Sequence, residues 1–106
     1  MRTSRLTWLL VAIVAGSLAF FMYSYAGGKT TKHSVTLRWS PTPGASSYYI
    51  YRATTSGGPY TRIGVTHDPP YLDKPIPSGV TFYYVVTAIR GGKESAYSAE
   101  IKASIP

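Results

Sequence analysis

Few side chains in this 106-residue chain are equipped for chemistry. There is no cysteine, so a thiolate nucleophile, a disulfide framework and a Cys-based metal site are all excluded. His33 and His67 are the only histidines, and both fall in stretches that read as loops. His67 with Asp68 and Asp73 is the one grouping that resembles a metal site, but Pro69 and Pro70 interrupt it and no ligand triad completes it. The same two aspartates as a glycosidase pair would need a cleft, and two acids in a Pro-rich loop are turn-formers. No Ser or Thr is placed beside a histidine and an orienting carboxylate, so nucleophilic catalysis lacks its parts. Gly57-Gly58 and Gly91-Gly92 open no helix and read as turns, not phosphate loops. Neither catalytic, cofactor-binding nor metal-binding residues are expected. What the chain has instead is tyrosine, ten of them, a residue suited to binding surfaces.

The elements that would position those tyrosines alternate with period two. Gly79–Ala88 is a central strand, rich in β-branched and aromatic residues, with Phe82, Tyr84, Val86 and Ala88 on one face and Tyr83, Val85 and Thr87 on the other. Before it, Ser34–Ser40 turns Val35, Leu37 and Trp39 to one side and stops at Pro41-Thr42-Pro43-Gly44. Tyr48–Arg52 is a second strand and Tyr60–Gly64 a third, separated by a Gly-Gly-Pro turn. A strand near Tyr71–Asp73 is weakened by the preceding prolines, which confine it to an edge or shorten it. The last runs from Tyr97 to Ala103. Short strands at these intervals with no helix between them predict an all-β sandwich. Its expected core is Val35, Leu37, Trp39, Tyr48, Ile50, Phe82, Tyr84 and Val86. The opposite face of the same sheet would then present Tyr49, Tyr51, Tyr83 and Val85, either as a binding face or as cross-strand packing.

Ahead of this domain the texture differs. An uncharged, apolar run from Leu6 to Ala26, about 30 Å long if helical, predicts a transmembrane signal-anchor with Trp8 near one end and Tyr23 and Tyr25 near the other. The competing expectation is a signal peptide cleaved after Ala26, since Ser24 and Ala26 are small. The expected organisation is a cytoplasmic tail at 1–5, the transmembrane helix at 6–26, a linker at 27–33 and the domain at 34–106. Arg2 and Arg5 favour an N-terminus inside, which puts the domain outside the cytoplasm. Eleven Lys and Arg against four Asp and Glu give a net charge of +7, which favours anionic partners. The basic residues are scattered singly, so nucleic acid is not expected.

Taken in order, Val35-Thr36-Leu37-Arg38-Trp39, Tyr48-Tyr49-Ile50-Tyr51-Arg52, Gly57-Gly58-Pro59-Tyr60-Thr61, Tyr71-Leu72-Asp73, Gly79–Ala88 and Glu94-Ser95-Ala96-Tyr97-Ser98 resemble strands B, C, C′, E, F and G of fibronectin type III domains from bacterial surface proteins and secreted enzymes. The resemblance covers residues 34–106. It implies an Ig-like sandwich in which strand A is short or missing, and a non-enzymatic binding module at the cell envelope engaging protein partners or adhesion targets. In the alternative, a secreted form binds carbohydrate or cell-wall polymer. Family members usually have a tyrosine where Phe82 stands, whose hydroxyl ties back to the preceding loop. Arg90-Gly91-Gly92 occupies the loop that in some members carries an integrin-binding tripeptide, but its third residue is Gly. A missing strand A would leave an edge of strand B open to association with another strand.

Overall fold

A computed structural model describes the backbone of residues 4–14, 17–27 and 32–106 and the side chains of residues 33–106. Nine strands follow one another: β1 (Ser4–Val14), β2 (Ser17–Gly27), β3 (Lys32–Leu37), β4 (Ser47–Ala53), β5 (Thr61–Thr66), β6 (Tyr71–Pro77), β7 (Thr81–Arg90), β8 (Lys93–Glu94) and β9 (Ile101–Ser104). The sandwich proper has two sheets. One pairs β3 with β6, and the other runs β5-β4-β7 with β8 and β9 both on the far side of β7. All of these pairings are antiparallel.

The core follows the period-two reading. Val35 and Leu37 from β3, Tyr48 and Ile50 from β4, Ile76 from β6, and Tyr84, Val86 and Ala88 from β7 are buried together with Trp39, Ile101, Ala103 and Ile105. Register explains why these residues meet: Tyr48 lies opposite Ala88 and Ile50 opposite Val86, so the inward residues of β4 and β7 share one face. Trp39 and Tyr48 pack edge to face with centroids 5.3 Å apart. Phe82 departs from the expectation. It is only partly buried, because it lies near the end of β7 and packs against the cluster from its margin.

Other expectations change at the strand ends. β6 runs to Pro77, well past the short Tyr71–Asp73 stretch, and tolerates Pro75 because β3 is its only ladder partner among the described residues. His33 is a strand residue, not part of a linker: it lies opposite Ile76, is 8% exposed and places Nε2 2.9 Å from Ser78 Oγ. The last strand is broken in two. Between β8 and β9 the hydroxyls of Ser95 and Ser98 accept from Ala88 N and Val86 N, replacing the carbonyls of a regular ladder. Among the described residues β3 has no ladder partner on its other edge.

Over β1 and β2 the backbone is extended and antiparallel, with Trp8 opposite Tyr23. No helix of the described residues is long and apolar enough to cross a membrane, and where a helix is expected over 6–26 the described backbone is extended. The physical reason is visible in composition. An apolar run this rich in Val, Ile, Phe and Tyr has no polar face to fix a helical period, and strand and helix compete on nearly equal terms.

Gly64 shows how the two sheets approach. Tyr71 of β6 donates its hydroxyl to Ile63 O at 3.2 Å, and the tyrosine ring fills the space where a Cβ on Gly64 would stand. Only glycine admits that crossing.

Candidate functional site

Position along β4 and β7 puts Tyr49 opposite Thr87, Tyr51 opposite Val85 and Ala53 opposite Tyr83, so Tyr49, Tyr51, Tyr83 and Val85 do share the outer face of this sheet. They do not form one exposed surface. Val85 is 1% exposed and Thr87 equally buried. Tyr49, Tyr51 and Tyr83 are half-buried. The reason lies outside both strands: the irregular segment between β8 and β9 runs beside β7 and brings Tyr97 against Tyr51.

Tyr97 is the exposed member, at 50%. Its ring meets both Tyr51 and Tyr60, each edge to face with centroids 5.1 Å apart. Both supporting rings are pinned at their hydroxyls. Tyr51 donates to Glu94 Oε2, which also accepts from Thr87 Oγ1 at 2.8 Å. Tyr60 donates to Glu100 Oε1 at 2.5 Å, and Glu100 also accepts from Gly57 N and Ser56 Oγ, each at 2.7 Å. Gly57 can offer its N–H because it sits at φ +85, in the left-handed region that favours glycine.

Electrostatics follow from these contacts. Burial, then the hydrogen bond to Glu94, pushes the Tyr51 phenol up to about 12. Burial and Glu100 do the same for Tyr60, also to about 12. Burial works against the charge of Glu100, but donors from Gly57, Tyr60 and Ser56 outweigh it and hold its carboxyl below the usual range. The site is therefore two phenols that stay neutral well past neutral pH, two acids occupied with donors, and one exposed ring packed edge to face against both phenols. A shallow cleft beside the ring is lined by Tyr51, Thr87, Glu94, Ser95, Ala96 and Tyr97. Such an arrangement stacks on flat or weakly polar ring faces and offers carboxylate oxygens to hydroxyl donors.

Of the four residues expected on the binding face, only Tyr51 touches this platform. Tyr49 belongs to another contact, under the Arg62 guanidinium at 4.3 Å on the β5 side. Tyr60 and Tyr97 escape the period-two reading, since one precedes β5 and the other sits in a broken strand where alternation carries no information. The spacing Glu94, Tyr97, Glu100 is the available signal: with a ring midway between two acids, each carboxylate is near enough to hold a neighbouring tyrosine.

A second polar cluster lies between the sheets. Asp73 of β6 accepts from Arg52 Nη1 at 3.1 and 2.8 Å and from Tyr84 Oη at 2.6 Å, while the Arg52 guanidinium stacks 4.3 Å from the Phe82 centroid. Asp73 is thereby committed. The grouping of His67, Asp68 and Asp73 is not assembled, and no cluster of three metal-ligating side chains occurs among the described residues. His67 Nδ1 lies 3.2 Å from Ser46 O. Phe82 has no hydroxyl to tie back to the preceding loop, and the Tyr84 hydroxyl goes to Asp73 of β6.

Comparison with known proteins agrees with this architecture. No family model matches the chain. It is 43% identical over 72 residues to an amylopullulanase of Thermoanaerobacter thermohydrosulfuricus, a match covering 65% of this chain and 5% of that enzyme, so it corresponds to a small segment lying within a much longer protein. The crystal structure of an Fn3-like protein from Clostridium thermocellum superposes with a TM-score of 0.65 at 40% identity, covering 69% of this chain and 77% of the other. With that identity and coverage, on a sandwich whose strands fall in the order B, C, C′, E, F, G, the chain belongs to the fibronectin type III-like family.

Proposed function

We propose that this is a non-catalytic, carbohydrate-associated fibronectin type III-like module that binds a glycan at the cell envelope through Tyr97. The observation carrying the proposal is the double support of that ring. The exposed ring is held edge to face by two tyrosines whose own hydroxyls are fixed by Glu94 and Glu100. Pre-ordering of this kind lowers the entropy lost on binding. The amylopullulanase relative supports the same direction, because the matched segment is an accessory stretch of an enzyme named for polysaccharide substrates.

Protein contact or adhesion, the leading expectation from sequence, keeps one specific support. Val65 on β5 and Leu72 on β6 are 59% and 46% exposed, and they lie on strands at the sheet edges, where another chain could pair. Self-association through an edge belongs with this reading.

For placement, the proposal keeps the apolar residues 6–26 as the membrane-directed segment and the module outside the cytoplasm, with secretion after cleavage at Ala26 as the alternative. Hydrocarbon does not tolerate the unpaired edges of a two-stranded hairpin, so insertion requires that segment to be helical. Carbonate extraction of membranes from cells expressing the full-length chain, followed by sequencing of its mature amino terminus, distinguishes anchor from signal peptide. The glycan proposal is tested by affinity electrophoresis of the full-length chain in gels containing soluble starch, pullulan or envelope polysaccharide: retardation that Tyr97→Ala removes is the expected result. Equal mobility in every gel would contradict it, and cross-linking to an envelope protein that survives Tyr97→Ala would favour the edge reading.

A further inference from the structure

We infer that the Tyr97 cleft continues into an anion subsite, so that the glycan it takes carries a carboxylate or phosphate group. This rests on the carbohydrate reading above. Glu94 and Ser95 line not one cleft but two, and the second, of about 240 Å³, continues from them to Thr42, Ala88, Arg90 and Lys93. The two adjoin across Glu94 and Ser95 on the β8 side of β7, one walled by aromatic rings and the other by cations.

The cationic end is built, not incidental. Arg90 is fixed by donation from Nη1 to Pro43 O at 2.9 Å, which leaves most of its guanidinium donors for a ligand. Lys93 begins β8, and its ammonium is exposed at the same cleft. Between them the cleft is lined by Thr42, a residue 4% exposed whose Oγ1 has no hydrogen-bond partner among the described residues. Buried hydroxyls are ordinarily satisfied, and this one, in the wall of a cleft that two cations also line, lacks an acceptor. Glu94 is the only acid lining the cleft, and its Oε2 is taken up by the Tyr51 and Thr87 hydroxyls, so the local balance is positive. The space suits a carboxylate or phosphate with accompanying water. The acceptor oxygens would take hydrogen bonds from Lys93 and Arg90 while the adjoining sugar ring lies against Tyr97. A neutral glycan can use the ring but gives Arg90 and Lys93 nothing in exchange for their water.

Isothermal titration of the full-length chain with maltoheptaose, an oligogalacturonate of equal length and a poly(ribitol phosphate) oligomer tests this. The expected result is binding of at least one anionic probe about tenfold or more tighter than maltoheptaose at low salt, with the margin shrinking as salt shortens the Debye length. The two anionic arms tell carboxylate from phosphate. Arg90→Ala/Lys93→Ala should erase the margin and leave maltoheptaose binding unchanged. Equal affinity for charged and neutral probes, all lost in Tyr97→Ala, would overturn the anion subsite and leave the platform standing. Failure of every probe to bind the folded chain would overturn the platform reading itself.

Discussion

Two clusters of this domain use the same pair, a tyrosine hydroxyl given to a carboxylate, in opposite surroundings. Between the sheets, Tyr84 and Arg52 meet Asp73, which is 8% exposed, and the contact ties β7 and β4 of one sheet to β6 of the other. On the outer face, Tyr51 and Tyr60 meet Glu94 and Glu100 and leave Tyr97 half in water. Burial decides what the pair is worth. In the interior an unpartnered carboxylate or hydroxyl cannot return to water, so the contact governs stability. At the surface water can replace each partner, so the same contact costs little to lose and serves to hold a ring in one orientation.

If that difference is right, the interior cluster should break hardest. Asp73→Ala strands the Arg52 guanidinium and the Tyr84 hydroxyl and should cost about 2–4 kcal/mol, discounted for the partial exposure of Arg52, read as a fall in the urea midpoint. Tyr84→Phe should cost about 1–3 kcal/mol. Gly64→Ala tests the other inter-sheet crossing, since the new methyl must displace the Tyr71 ring, and a loss of about 1–3 kcal/mol is expected in the same assay. On the outer face, Tyr97→Ala should change stability by less than about 1 kcal/mol yet abolish retardation by polysaccharide.

The smallest effects are in pH. Tyr51 and Tyr60 have folded values of about 12 against 10.0 for an unperturbed phenol, so above pH 10 the unfolded chain loses protons that the folded one retains. Stability from these two is therefore complete below about pH 10 and falls as pH rises towards about 12. Spectrophotometric titration in the near ultraviolet should show these phenols ionising late, and Glu94→Gln or Glu100→Gln should bring one of them down. Glu100 has the opposite sign. Its folded value lies below 4.5, so its contribution is present above that pH and is lost as pH falls through the depressed value.

Sequence alone makes the sandwich legible because alternation and register carry the same information. Once Val35, Leu37, Ile50 and Val86 are placed inward, the faces of β4 and β7 are determined, and Tyr49, Tyr51, Tyr83 and Val85 follow onto the outer side. Alternation cannot say what lies over a face. Val85 is buried because Tyr51 stands opposite it and Tyr97, from a segment with no ladder of its own, meets Tyr51. Period assigns Phe82 to the core, yet the residue lies at its margin because strand ends fray out of the packing. The apolar run carries no such information: period is silent in a stretch with no polar face, and Trp8 to Tyr25 suits an extended backbone as well as a helical one.

The central claim, that the outer cluster is a binding platform and the inner one a structural tie, is tested most directly by following tyrosine ring signals in an NMR titration of the full-length chain with maltoheptaose and oligogalacturonate. The account predicts that Tyr97 moves first and furthest, Tyr51 and Tyr60 follow, and Tyr84 stays fixed. Saturation that leaves Tyr97 unmoved, or that shifts Tyr49 beside Arg62 in its place, would contradict it.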